Sequence, residues 1–296
     1  MSYSKLLSPL LLLLSHVAQA EPLSWFAEKE GLSYTLVGSV HVGDNSMYPM
    51  PDKLTQRLQA ADGLIVEANT LEAKQLRYPS ANTTVKEQLN DSQLERLGRI
   101  ARMSGMQIED VQSFPPWMAA MSLQMSQLQR LGYTPDKGVD LHFMQQATSQ
   151  QTPIYGLESL QFQIDLIAKQ PDEGLEMLTA FMEEFNQTQQ LTRCLIDTWD
   201  AGDESNLEAF AHISEMSPEL EKAFIDDRNQ AWAEILNQKQ PLEGQDSTIE
   251  DGNYFVVVGS LHLVGEGNVR ELLEARGFEV TQISNSSAAG CEFGGE

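Results

Sequence analysis

The same short pattern closes an apolar run near each end of the chain: Gly38-Ser39-Val40-His41 and Gly259-Ser260-Leu261-His262. Around each copy the residues read as one unit. In the first, Tyr34 to Val40 has strand character and a turn-rich loop follows from Val42 to Pro51. Leu54, Leu58 and Ala61 then mark one face of a helix, and Gly63 to Val66 is a second apolar run ending at Glu67. In the second, Tyr254 to Val258 is the first strand and Gly265-Glu266-Gly267 lies in the loop. Val269 to Ala275 is the helix, closed near Gly277, and Phe278 to Ile283 is the last strand. A strand, helix, strand sequence of this length is a crossover whose strands run parallel. Two of them predict an α/β protein in which two pseudo-repeated βαβ halves share a sheet.

The interval between the halves reads as a large helical middle section. Ser92 to Glu95 has the capping-box pattern, and Pro115-Pro116 opens a helix on which Met118, Met121 and Met125 are expected to pack into the core. Pro153 to Gly156 is a short strand entering Leu157-Glu158. Residues 160 to 240 carry long helical patterns, with Ser217 as a cap and Pro218 at the first helical position.

Residues 1–20 have the form of a cleaved signal peptide: Lys5, an apolar run from Leu6 to Leu14, and Ala18-Gln19-Ala20 before the expected mature start at Glu21. The run is too short for a permanent span, so a periplasmic or secreted protein without stable membrane insertion is expected. Residues 21–284 then form one domain, and residues 285–296, rich in Ser, Gly and Ala, form a disordered tail. A formal charge of −24 repels phosphate backbones and excludes nucleic acid as a partner. Cys194 and Cys291 could pair in an exported protein, but their spacing does not say whether they meet.

Ligand sites of parallel sheets form beyond the carboxyl ends of the strands. His41, Glu67, Glu158 and His262 all fall at such ends in this reading. Two histidines and a glutamate can hold a catalytic divalent metal with a position left for water. Without a metal, either histidine could act as a general base oriented by a glutamate. The competing reading is that both histidines only satisfy buried backbone groups. Arg228 falls on the apolar face marked by Leu220, Phe224, Ala231 and Ile235, where a charge needs a partner or snorkels to solvent. Glu67 and Glu158 are the candidate partners, and a substrate oxyanion is the alternative. His142 and His212 sit in ordinary helical patterns. No His-Glu-x-x-His and no Gly-x-Ser-x-Gly elbow is present.

These segments, in this order, resemble the TraB/GumN family, related to the TIKI metalloproteases. The resemblance rests on Leu36 to Asp44, Ala61 to Glu67, Gly138-Val139-Asp140 and Tyr155 to Ser159. Trp199 to Asp203, Asp227-Arg228-Asn229, Val258 to Gly265 and Leu272 to Gly277 complete it. It implies a site at the two Gly-x-x-His motifs and a metal-dependent hydrolase, most simply a peptidase acting on a peptide or other amide. His41, His262 and one of the two glutamates, Glu67 or Glu158, would be the metal ligands, the metal being manganese, cobalt or zinc. The other glutamate would be the general base, and Arg228 would stabilise developing charge. More distant similarity, to erythromycin esterases and haem-binding proteins, keeps two alternatives: a metal-free esterase-like hydrolase, and a non-catalytic protein binding a metal, haem or peptide.

Overall fold

Side chains along a strand point alternately to its two faces. Along the central strand Tyr254, Val256 and Val258 enter one hydrophobic core while Phe255 and Val257 enter another. A strand buried on both faces needs cover on both sides, and the computed structural model provides it. It describes residues 21–72, 76–213, 217–238 and 249–294; the expected signal peptide lies outside them. Among the described residues no helix is long and apolar enough to cross a membrane.

The sheet has six strands: β1 (Ser24–Lys29), β2 (Leu32–Ser39), β3 (Gly63–Val66), β4 (Ile154–Gly156), β5 (Gly252–Gly259) and β6 (Glu279–Gln282), in the order β4-β3-β5-β2-β1-β6. The four strands β4, β3, β5 and β2 are parallel neighbours. Antiparallel β1 lies between β2 and β6. The two halves interleave. β5 inserts between β2 and β3, so each half's first strand is the other's neighbour, with Ser39 opposite Gly259. The crossover helices cover opposite faces. Leu54 and Leu58 of Asp52–Gln59 pack with Phe255 and Val257. Val269 and Leu273 of Val269–Glu274 pack with Tyr254 and Val256. Right-handed crossovers that travel in opposite directions along a sheet require this.

Strand β1 was not legible in the sequence. Only Trp25 and Ala27 of its hydrophobic side chains are fully buried, and Glu28 and Lys29 end it. It exists because a two-residue turn at Glu30-Gly31, both with positive φ, folds it back on β2.

The helical section has a core of its own, in which Val85, Leu97, Ile100 and Leu123 meet Leu178, Met182 and Phe185. The last three lie on a 27-residue helix, Leu175–Ala201, about 40 Å long at the usual rise. Its far end places Ile196 and Trp199 in the core beside β5. Three expectations need correction here. The capping box is Asn90 with Gln93, so the helix begins at Asp91; Asn is as strong a cap as Ser, and Glu95 pairs with Arg99 instead. The methionine row lies at the edge of the core and not in it: Met121 is 36% exposed and Met118 and Met125 are half-buried, while Trp117, Ala119, Ala120 and Leu123 form the buried face.

The third correction concerns the tail. Residues 285–294 lie against the domain. Ala289 and Gly290 donate to Asp203 and Asp197, Phe293 is buried against Phe210, and Cys291 is bonded to Cys194. Composition suggested disorder, and the cross-link together with one buried aromatic overrides it. A bridge closing a separation of 97 residues restricts the unfolded chain strongly. Cys291→Ser should therefore lower the unfolding free energy by about 2–4 kcal/mol. Denaturant midpoints that coincide with and without reductant would show that the bridge adds nothing.

Candidate functional site

The four parallel neighbours each deliver one side chain at the carboxyl edge of the sheet. Glu67 follows the last residue of β3, and Glu158 lies just past β4. His41 lies just past β2, and His262 closes the turn after β5. The two Gly-Ser-x-His motifs are tied together where they meet, the Ser260 hydroxyl donating to the Ser39 carbonyl at 3.0 Å. From behind, Trp199 donates its indole N–H to the Gly38 carbonyl at 2.9 Å. Gly259 is closely approached: its N–H donates to Glu67 Oε1 at 2.7 Å, and a Cβ there would stand 3.2 Å from that same oxygen and press on it. Gly138 is more tightly constrained, since a Cβ would lie 2.5 Å from the His41 carbonyl oxygen. Its close approach brings Asp140 to 3.3 Å from His41 Nδ1.

Arg228 comes from the opposite side, on the helix Asp227–Gln238. That helix is preceded by a wide π turn at Lys222–Asp226, and Arg228 Nη1 reaches back to the Phe224 carbonyl at 3.0 Å. The wide turn changes the phase of the helix. The buried face is Arg228, Asn229, Trp232, Ala233 and Leu236, not the one that Phe224 and Ile235 suggested. Arg228 does not snorkel: it is 9% exposed. Its Nη2 donates to Glu67 Oε2 and Glu158 Oε1, each at 2.6 Å, and its Nε donates to Glu158 Oε2 at 3.2 Å. Burial opposes the charged guanidinium, and Glu67 and Glu158 more than offset it, so the arginine is held protonated more firmly than usual.

Sequence reasoning missed Asp140, Gln163, Asn229 and Trp232 as parts of this cluster. Gln163 donates to both glutamates and Trp232 donates to Glu158. With these bonds and those from Arg228, both Glu158 oxygens are occupied. Glu158 is an anchor for Arg228 and is not free to act as a base. Glu67 Oε1 keeps spare capacity. Burial alone would raise its carboxyl, but His262, His41, Arg228 and the Gly259 amide bring it down to about 2. Asp140 and Asn229 lay within segments that carried the family resemblance. Gln163 and Trp232 had no such signal.

The two histidines differ. His262 is 4% exposed, and burial pulls its imidazole down to about 4, with Glu67 only partly opposing this. At neutral pH it is therefore uncharged, and His41 and Arg228 keep Glu67 ionised. Asn229 sets its tautomer. The Asn229 amide donates to the Gly267 carbonyl, which leaves Oδ1 to accept from His262 Nδ1–H at 2.7 Å. The Nε2 lone pair then accepts from Arg228 Nη1 at 3.1 Å. His41 has a side chain 65% exposed at the mouth of the site. Enclosure by its neighbours opposes its charge, but the carboxylates of Asp140 and Glu67 prevail and raise it to about 9. Water screens these partners, so the gain in stability is small. Away from the cluster, His142 stacks on Tyr48 and His212 is exposed.

A sheet of this order, with paired Gly-Ser-x-His turns over a buried Glu-Arg-Glu cluster, defines an α/β protein that gathers its buried polar groups from distant parts of the chain. The chain belongs to the TraB/PrgY/gumN family, whose model matches residues 23–282. It is similar to the uncharacterized protein YbaP of Escherichia coli K12, with 31% identity over 243 residues covering 81% of this chain and 87% of that one. The YbaP protein of Shigella flexneri is 31% identical over 241 residues, covering 80% and 86%. No solved structure matches the chain.

Two outcomes follow. The folded His262 binds its proton more weakly than the unfolded one, so its contribution to stability is complete above pH 6.5 and is lost as pH falls towards about 4. Denaturation curves through that window should fall more steeply for the wild type than for His262→Gln; parallel curves would mean that His262 titrates normally. Arg228→Met, which leaves two buried carboxylates unpaired, should cost about 3–5 kcal/mol in denaturant unfolding. A cost below about 0.5 kcal/mol would class the position with ordinary surface sites.

Proposed function

We propose that the protein is an exported, metal-assisted hydrolase of peptide or other amide bonds. The observation that carries this is the convergence of donors around Gly259. The place a Cβ would fill there lies 3.2 Å from Glu67 Oε1 and 3.9 Å from His41 Nε2, with the His262 ring 3.6 Å away. Glu67 Oε1 and His262 Nε2 are 3.9 Å apart. Both imidazoles have Nδ1 engaged, by Asp140 and Asn229, and so turn Nε2 inward, the arrangement that orients histidine ligands. Charge leaves room for a cation as well, since Glu67, Glu158 and Asp140 are three carboxylates against the Arg228 guanidinium and the His41 imidazolium, which would give up its proton on becoming a ligand.

The chemistry of this donor set supports the reading that a divalent ion such as manganese, cobalt or zinc would be held by His41, His262 and Glu67. Among the described residues no three His, Cys, Asp or Glu side chains are grouped closely enough to hold a metal ion, so this reading requires the exposed His41 to move towards Glu67 and His262. A metal held there supplies polarisation of a carbonyl and a lowered water pKa. Glu67, ionised far below neutrality, suits a ligand better than a base. Glu158 fixes Arg228, and Asn229 fixes the His262 tautomer. His41 and Asp140, at the open side, meet the substrate first.

A second reading rests on the proton that His41 holds at neutral pH. In a metal-free hydrolase His41 would act as the general acid, and activity would survive chelation.

The test is metal content and peptidase activity of residues 21–296 beside His41→Ala and the His41→Ala/His262→Ala double variant. Wild type should bind about one ion per chain. His41→Ala should fold with near wild-type stability, because its side chain is at the surface, yet lose both metal and activity. Wild type free of metal after loading with each ion would sink the metal mechanism. Activity unaffected in His41→Ala would remove the site itself.

A further inference from the structure

The helix Leu160–Ala168 begins just past Glu158 and carries five large apolar side chains, Leu160, Phe162, Ile164, Leu166 and Ile167. Of its residues only Ala168 is buried, and none of the five enters or packs against any of the three hydrophobic cores. A helix this short is marginal alone in water, and most helices are held by packing of an apolar face. Here polar ties at the first turn take that part. Ser159 accepts the Phe162 N–H at 3.1 Å, Gln161 exchanges two bonds of 2.8 Å with the Arg77 backbone, and Gln163 donates to Glu67 and Glu158. The helix lies beside Pro116–Leu131, whose Met118, Met121 and Met125 form a partly exposed stripe at helical spacing. Tyr78, next in chain to Arg77, is 61% exposed and stacks on Trp117 with ring centroids 6.4 Å apart. Three of the five exposed large hydrophobic side chains among the described residues, Tyr78, Met121 and Phe162, thus lie on these adjoining segments.

Charge decides what can cover this surface. Between Pro115 and Gln129 the sequence has no charged side chain, and on the shorter helix Asp165 is paired with Lys169 at 2.7 Å. The chain as a whole carries −24. A basic partner would be drawn to the acidic faces, and an anionic bilayer would set its phosphates against the apolar side chains. A second copy brings the same charge-free surface, so that contact strips water from no unpaired charge on either side. We infer that two copies of the chain associate through this surface about a two-fold axis, the methionines of each against the Leu160–Ala168 helix of the other. Such a contact uses one patch twice. Its centre is poor in charge and rich in methionine and aromatic rings, as interface centres are, and methionine adapts to an irregular fit. The second copy supplies the packing that the short helix lacks, and so steadies Gln163 on the two glutamates. The association does not depend on a metal.

Sedimentation equilibrium of residues 21–296 at low and high salt tests this. The expected result is a monomer–dimer equilibrium that tightens as salt is raised, because screening relieves the repulsion between two acidic chains. Association through opposite charges would weaken instead. Met121→Glu and Phe162→Glu, both at exposed positions where the fold tolerates a charge, should each weaken the dimer about tenfold or more. In methyl-labelled protein the signals of Met118, Met121 and Met125 should move on dilution, while those of Met47 and Met144, buried in the core, stay in place. A chain monomeric at every concentration and salt would overturn the inference, and so would a dimer that both variants leave intact. A monomer that sediments with phosphatidylglycerol vesicles, and ceases to do so in Phe162→Glu, would also overturn it and assign the surface to a bilayer.

Discussion

A guanidinium between two carboxylates, all under one-tenth exposed, is the interaction on which the site depends. An isolated charge there would be prohibitive, and the cluster is tolerable only because each polar atom finds a partner. Glu67 and Glu158 arrive from neighbouring parallel strands, and Arg228 arrives from a helix packed above them. The ion cluster thus locks the helix Asp227–Gln238 to the carboxyl edge of the sheet. Removing Arg228 leaves two buried carboxylates without their charged partner, and removing either glutamate leaves the guanidinium with only one. The cluster therefore specifies one arrangement of helix and sheet more than it adds to stability.

Around that lock the two histidines take opposite states for physical reasons. His262 lies under Trp232, away from water, and stays neutral with its lone pair directed inward. His41, facing solvent beside Asp140, carries a proton. Two copies of one motif therefore supply one buried acceptor and one accessible cation. The difference arises from what each half packs against: the first motif meets the loop at Gly138, and the second meets the arginine helix.

Much of this was legible in the residues because it depends on local pattern. Apolar runs ending in Gly-Ser-x-His, or in Glu67, placed the strand ends, and the parallel-sheet rule gathered them on one edge. Arg228 stood out as a charge among apolar spacings. What escaped depends on tertiary context. The π turn before Arg228 rotates its helix, so the buried face, and with it Asn229, lies off the expected spacing. Glu158 looked like a free carboxylate until Gln163 and Trp232 filled its remaining positions. The methionine row looked like core because hydrophobicity alone does not distinguish the side of a helix that meets small residues. The tail looked disordered because composition does not register a cross-link formed 97 residues away.

The interleaving of the halves has a consequence for how the chain is made. β5 fills the slot between β2 and β3, so the sheet has a gap at its centre until residues 252–259 have been synthesised. Everything made before then, including His41, Glu67, Glu158 and Arg228, lacks the strand that joins it. Contacts so distant in sequence form slowly, because the intervening chain must first be brought together. A nascent or truncated chain therefore holds most of the clustered polar side chains but not their assembled arrangement. The fold itself delays assembly of this cluster until the segment carrying Gly259 and His262 has been made.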